Sequence, residues 1–179
     1  SQELVVSEPD GTTRAFFPTF PASVTRAIEP SPSADGAWVY FAAIGSGCAQ
    51  AGEYCLHRAR ADGSGVEALA ESRALPGRTL RPSPSPDGRY VTFQFDVAIG
   101  PYIKVLDLHD HLVFPWGVPG VSPQWSPNGT LIAYSAYNGD IMVLSPDDAT
   151  TRVVARGRGY LAADAIAWSP DSKWILGQL

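Results

Sequence analysis

An all-β fold built from a repeated sheet is what this sequence predicts, and three observations carry the expectation. Of 179 residues, 17 are glycine and 16 proline, well above the roughly one in eight of ordinary domains, and breakers at that density leave no room for a helical bundle. An apolar fraction of 45% with 11% aromatics is too rich for a disordered chain, so the protein folds from short elements. Four segments read alike: PSPSADGAWVYFAA from Pro30, PSPSPDGRYVTFQF from Pro82, PQWSPNGTLIAYSA from Pro123 and IAWSPDSKWILGQL from Ile166. Their turn residues Asp35, Asp87, Asn128 and Asp171 stand 52, 41 and 43 residues apart, the period of a β-propeller blade of four short strands.

Taken in order, the chain is expected to open with half a blade, residues 3–18, in which ELVVSEPDGTTRAFF runs strand, Pro9-Asp10-Gly11 turn, strand. The first full blade, 26–72, turns at Ser33-Ala34-Asp35-Gly36, passes through a cysteine-bearing loop from Ile44 to Tyr54, and turns again at Asp62-Gly63-Ser64. The second, 79–116, uses Ser85-Pro86-Asp87-Gly88, the loop Asp96 to Tyr102, and His109-Asp110-His111. The third, 120–156, uses Ser126-Pro127-Asn128-Gly129, the short loop Tyr137 to Asp140, and Pro146-Asp147-Asp148. A second half-blade, 164–179, carries Ser169-Pro170-Asp171-Ser172. Each repeat thus reads strand A, Ser-Pro-Asp-Gly turn, strand B, loop, strand C, polar turn, strand D.

The turn chemistry is legible. Serine bonds back to the backbone, Pro or Ala presets φ, and Asp or Asn followed by Gly tolerates the left-handed conformation that closes the turn. Beyond it come Val39, Val91, Ile132 and Ile175, and two positions on Phe41, Phe93, Tyr134 and Gly177, which share one strand face. Trp38, Tyr90, Leu131 and Trp174 take the opposite face, so both faces are expected to be buried between stacked sheets. Small residues on the inner strands, Ser31, Ser83 and Ala167, suit a crowded axis.

The segments Gln124-Trp125-Ser126-Pro127-Asn128-Gly129 and Ala167-Trp168-Ser169-Pro170-Asp171-Ser172, each with its following apolar strand, resemble the WD-like repeat of TolB-type β-propellers. The same repeat recurs in the propellers of prolyl-oligopeptidase-like enzymes. The resemblance covers nearly the whole chain and implies the fold, while the repeat residues themselves are structural. It leaves three arrangements for the half-blades. Leu4-Val5-Val6 pairs with Trp174-Ile175-Leu176 to close a four-bladed ring, or the chain is an arc of a larger propeller, since TolB-like ones usually have six blades or more. In the third, copies exchange half-blades head to tail in a ring or filament.

Function is constrained more by exclusion. A net charge of −5 with scattered Lys and Arg argues against a nucleic-acid partner, and no apolar run approaches the roughly 18 to 20 residues of a membrane span. No basic-then-apolar leader is visible, so any targeting peptide is expected to have been removed or never present. Cys48 and Cys55, seven positions apart, form either a disulfide, which implies a periplasmic or extracellular location, or two free thiols in a reducing cytosol. A metal site there is not expected. The turns are uniform and the loops between blades vary, which marks the loop-bearing face as the recognition surface. Arg26, Glu29, Arg78, Arg81, Tyr102, Tyr137 and Tyr160 are the expected binding residues there, of types enriched in hot spots. The alternative is that they are rim residues covering loop backbone. Glu29 and Arg81 hold equivalent repeat positions and are expected to pair near the axis.

No Gly-x-Ser-x-Gly elbow is present, so no hydrolase nucleophile is expected. His109 and His111 flank Asp110 in a solvated turn, His57 lies inside a strand as a packed or edge residue, Asp62-Gly63-Ser64-Gly65 is only a fragment of a calcium loop, and the Asn128-Gly129-Thr130 sequon is already explained by its turn. No catalytic residue, cofactor or metal is expected. The sequence therefore predicts a non-catalytic binding or scaffold module recognising a protein or peptide. The alternatives are a self-assembling structural subunit, and the propeller portion of a prolyl-oligopeptidase-like hydrolase.

Overall fold

The computed structural model describes residues 4–17, 22–48, 50–69, 75, 77–157 and 166–177, and every regular element among them is a β-strand. β1 (Val5–Ser7) and β2 (Thr13–Ala15) form a two-stranded sheet. β3 (Val24–Pro32), β4 (Trp38–Gly45), β5 (Cys55–Arg60) and β6 (Glu67–Ala68) follow as a four-stranded antiparallel meander. The next sheet runs β7 (Arg78–Pro84), β8 (Tyr90–Val97), β9 (Gly100–Asp107) and β10 (Leu112–Val113), with β11 (Val118–Pro119) also pairing β9. A third meander holds β12 (Val121–Trp125), β13 (Ile132–Ser135), β14 (Ile141–Leu144) and β15 (Thr151–Ala155), and β16 (Ile166–Trp168) pairs β17 (Ile175–Gly177). The same repeat position keeps the same kind of partner throughout: Val39 faces Ala59, Val91 faces Leu106, and Ile132 faces Leu144.

First strands of successive sheets lie against one another, β3 on β7, β7 on β12 and β12 on β16. The core is divided into layers between sheets. Phe16, Phe17, Phe41 and Ala59 fill the first, Tyr40, Leu56, Phe93 and Leu106 the second, Ile103, Val105, Trp125, Ile132 and Leu144 the third, and Ala133, Val143 and Ile166 the fourth. Strands buried on both faces are what a propeller requires. Trp174 departs from the expectation of double-sided burial: it is 60% exposed. Among the described residues β1 pairs β2 and β17 pairs β16, and the ring-closing pairing of Leu4-Val5-Val6 with Trp174-Ile175-Leu176 is absent.

The four turns share one device. The hydroxyls of Ser33, Ser85, Ser126 and Ser169 each donate to the Asp or Asn side-chain oxygen two residues on. Each also accepts the N–H five residues on, at Trp38 (2.9 Å), Tyr90 (2.8 Å), Leu131 (3.0 Å) and Trp174 (3.1 Å). The following residue closes the turn in the left-handed region, with φ of 68° at Gly36, 73° at Gly88, 74° at Gly129 and 60° at Ser172. A Cβ on Gly88 meets nothing within 4 Å, so Gly88→Ala isolates the backbone term and should cost about 1–2 kcal/mol in urea unfolding. An unchanged midpoint would show that the turn relaxes.

Strand A is the edge of each full meander, which is why it tolerates Pro30, Pro82 and Pro123, residues without an N–H to donate. Each of these prolines follows a residue with positive φ, Glu29 (55°), Arg81 (51°) and Ser122 (57°), and each lies where the A–B register shifts. Three non-glycine residues at positive φ on equivalent bulges show that the fold re-aims these side chains in each of the three larger sheets.

The two ends of the sheets differ. At one, A–B and C–D turns bond directly, Ala61 N–H to Ala37 C=O (3.0 Å) and Leu108 N–H to Arg89 C=O (2.8 Å). At the other, the B–C loops meet the connections between sheets, as in Ser46 N–H to Ser23 C=O (2.9 Å) and Gly120 N–H to Pro101 C=O (3.2 Å).

Candidate functional site

Six of the seven expected residues lie among the described residues and fall into three clusters. In the first, Arg26 on β3 and Arg78 on β7 both approach one ring, that of Tyr54, with guanidinium carbons 6.0 and 5.4 Å from its centroid. Tyr54 is buried, and its carbonyl accepts both the N–H (2.9 Å) and the hydroxyl (3.2 Å) of Thr79, so its backbone is fixed across two sheets while both guanidiniums lie over its ring. Arg78 also stands 3.9 Å from the Glu53 carboxylate, with both side chains substantially exposed.

The second cluster lies on the bulges. Arg81 donates its N–H to Glu29 (2.7 Å) and holds its guanidinium 3.6 Å from the same carboxylate, as the equivalent repeat positions suggested. The guanidinium also donates to the hydroxyl of Ser122. These residues, with Pro30, Pro32 and Pro82, line an open cavity of about 410 Å³. From there a polar chain continues inward: Ser122 N–H donates to Gln94 (3.3 Å), whose amide donates to Asp96 (2.8 Å).

The third cluster is built on the loops around Tyr102 and Tyr137. The Tyr137 hydroxyl donates to the Pro101 carbonyl, and Gly100, at φ 124°, leaves the space that a Cβ 2.6 Å from that hydroxyl would take. Burial, then the neighbouring Tyr102 and Asp96, pushes the Tyr137 phenol above its ordinary value. Asp140, buried beside it in sequence, accepts from Gly157 N–H (2.9 Å), Asn138 (3.0 Å) and Arg156 (3.3 Å). The Gly157 N–H, with Asn138 and Arg156, holds its carboxyl below the usual range. Tyr160 lies outside the described residues.

The sequence reading missed Tyr54, Ser122, Gln94 and the fully presented Ile99, 79% exposed at the β8–β9 tip. Ser122 was within reach, since it stands 41 residues after Arg81 as Asn128 does after Asp87. Tyr54 was not, because nothing in the spacing of Arg26 and Arg78 says which ring they share.

Other motifs resolve at the opposite end or inside sheets. His109 pairs with Asp110 (2.7 Å) on the turn face, beside a depression lined by Asp87, Arg89 and Leu108. Asp62 accepts the Ser64 N–H (2.9 Å), an ordinary Asx turn. The Asn128 side-chain oxygen accepts from Ser126, Thr130 N–H and the Thr130 hydroxyl. Cys48 and Cys55 form a disulfide, Cα to Cα 5.5 Å. Among the described residues the group of three or more His, Cys, Asp or Glu placed to share a metal ion is Cys48, Cys55 and His57. Among the described residues no helix is long and apolar enough to cross a membrane.

No protein-family model matches the sequence, and no curated protein does. Solved structures do match. TolB from Acinetobacter baumannii superposes with a TM-score of 0.72 at 16% identity, covering 98% of this chain and 42% of that one. A protein assigned as TolB in Agrobacterium tumefaciens gives 0.75 at 15% identity, covering 98% of this chain and 68% of that one. The nidogen/laminin complex gives 0.68 at 17% identity, with 92% and 60% covered. Enzymes share the fold too, as an oligogalacturonate lyase in complex with manganese does at 0.62 and 16% identity. The fold is a TolB-like β-propeller. The chain spans less than half the length of the Acinetobacter TolB and about three fifths of the nidogen/laminin match.

Proposed function

We propose that this protein is a non-catalytic binding module that acts outside the cytosol and recognises a protein or peptide with its loop-bearing face. The observation that carries the reading is the Arg26–Tyr54–Arg78 cluster: two exposed guanidiniums pre-positioned around a ring that is itself held by backbone bonds across two sheets. A fixed aromatic with flanking arginines spends little entropy on binding and is the composition that dominates protein interfaces. Ile99, Tyr102 and Tyr137 extend the same face with apolar and aromatic surface. The disulfide suits an oxidising compartment. The likeness to a propeller solved as the nidogen/laminin complex supports a partner that is itself a protein.

The test is capture from an extracytoplasmic extract by the immobilised chain, followed by titration of the captured protein against variants. Reversing both charges, Arg26→Glu with Arg78→Glu, should weaken binding by about 30-fold or more, the scale of a hot spot. Lys173→Glu, a more exposed charge at the turn end, should leave it unchanged. Binding that survives the double reversal, or that falls equally with Lys173→Glu, overturns the assignment of this face.

A further inference from the structure

We propose that reduction converts the Cys48–Cys55 disulfide into a divalent-metal site in which the two thiolates and the His57 imidazole bind Zn²⁺. The inference stands apart from the loop-face reading and rests on three placements. Strand alternation on β5 puts Cys55 and His57 on the same face, with Cys55 Sγ 3.8 Å from His57 Nδ1. Cys48 reaches the pair from the β4–β5 loop, and the three ligand atoms all lie within 4.8 Å of one another. The imidazole is 2% exposed and is held in place by stacking on Phe41, centroids 5.7 Å apart and planes 19° apart.

These distances are close to those of a tetrahedral zinc. With Zn–S of about 2.3 Å and Zn–N of about 2.0–2.1 Å, two ligating sulfurs stand roughly 3.8 Å apart and a sulfur and nitrogen roughly 3.6 Å. The Cys55 Sγ to Nδ1 separation is within about 0.2 Å of this, but Nδ1 also faces the Cys55 carbonyl at 3.2 Å, a contact that must break for Nδ1 to bind the ion. The two sulfurs must part by about 1.7 Å from a disulfide bond, and Cys48 is half-buried in a loop while Cys55 and His57 sit in the sheet. Gly47 next to it packs so closely that a Cβ would fall 2.5 Å from Ala68 Cβ and 3.6 Å from His57 Nε2, so the loop lies directly over the imidazole. Three protein ligands leave the fourth position to water or an outside ligand.

The chemistry balances with a dithiol reductant. That reductant closes to its own disulfide and delivers two electrons and two protons, breaking the Cys48–Cys55 bond into two thiols. Zn²⁺ then displaces both thiol protons as it binds. Reoxidation by a disulfide expels the ion. The same three residues therefore form a covalent clamp under oxidising conditions and a metal clamp under reducing ones.

The test uses the full chain, reduced under argon and freed of reductant, and titrated with Co²⁺. One equivalent should bind, with thiolate-to-cobalt charge-transfer bands and the intense visible bands of tetrahedral cobalt, and Zn²⁺ should displace it. The oxidised chain should show neither. His57→Gln should weaken cobalt binding by more than about tenfold, since even outer-shell partners of a metal are worth that much. Metal-bound reduced chain should also resist alkylation at Cys48 and Cys55. Circular dichroism covers the case in which reduction unfolds the chain: metal that restores the β-sheet signal supports the site, and metal that fails to do so overturns it. The proposal also falls if a folded reduced chain shows no bands, if His57→Gln binds as tightly as wild type, or if the Cys48→Ser, Cys55→Ser double variant binds equally.

Discussion

Replacing Phe41 by alanine is expected to lower the unfolding free energy by about 3–5 kcal/mol, the range for a buried phenylalanine whose surroundings relax only partly. Phe41 is fully buried on β4, and it packs edge-on against Phe17 of the preceding segment, centroids 5.6 Å apart, while stacking on His57 of its own sheet. One ring thus joins the first two-stranded sheet to the first meander. Against a total stability of about 5–15 kcal/mol for an ordinary domain, that loss moves a large share of the urea midpoint. Val153→Ala, on the exposed side of β15, should shift it by less than about 0.5 kcal/mol. Comparable effects from the two would mean that the layer between the first sheets does not pack as described.

Asp107→Ala should cost about 1–3 kcal/mol by leaving a network without its acceptor. Asp107 is 2% exposed at the end of β9. One oxygen accepts the N–H groups of His109 (2.8 Å) and Asp110 (3.0 Å), and the other accepts Nε (3.1 Å) and Nη2 (2.8 Å) of Arg89. It therefore fixes both the C–D turn and the residue after the A–B turn of the same sheet. Burial by itself raises the carboxyl, but the Arg89 guanidinium and the two N–H groups outweigh it and hold it below its ordinary value. A carboxylate depressed in the folded state contributes stability that is present above its unfolded value, about 3.9, and is lost as pH falls through the folded one. Asp10, Asp35, Asp62, Asp148 and Asp171 are lowered in the same direction by their turn donors. Wild type should accordingly lose stability below about pH 4, and the gap between it and Asp107→Ala should narrow over the same interval. A gap that stays constant down to about pH 3 would exclude this role for the carboxylate.

The loop face was only partly legible. Arg26 and Arg78, like Glu29 and Arg81, stand 52 residues apart, the spacing of Asp35 and Asp87, so their equivalence could be read from the repeat. Their partners could not. Tyr54 and Thr79 meet through a backbone bond between sheets, and Ser122 receives Arg81 from the sheet before it. His57 was read as a packed strand residue, which it is, yet its position two residues after Cys55 places it against the disulfide. That position was visible in the sequence, but the return of the loop that brings Cys48 to the same side was not.

The wealth of glycine and proline, the Ser-Pro-Asp-Gly turns and the alternating apolar strands between them determined a repeated antiparallel meander, because each of these is settled within a few residues. Hydroxyls cap turns, left-handed φ selects glycine, and an edge strand admits proline. The tertiary structure decided which faces were covered and which side chains met. It left Trp174 exposed, aimed three bulge residues along the inner strands, and set two arginines around one tyrosine and a histidine beside a disulfide. The covered faces and the arginine–tyrosine cluster depend on how one sheet stacks on the next, which no local rule of turn or strand carries, while the histidine meets the disulfide within its own sheet through the return of the β4–β5 loop.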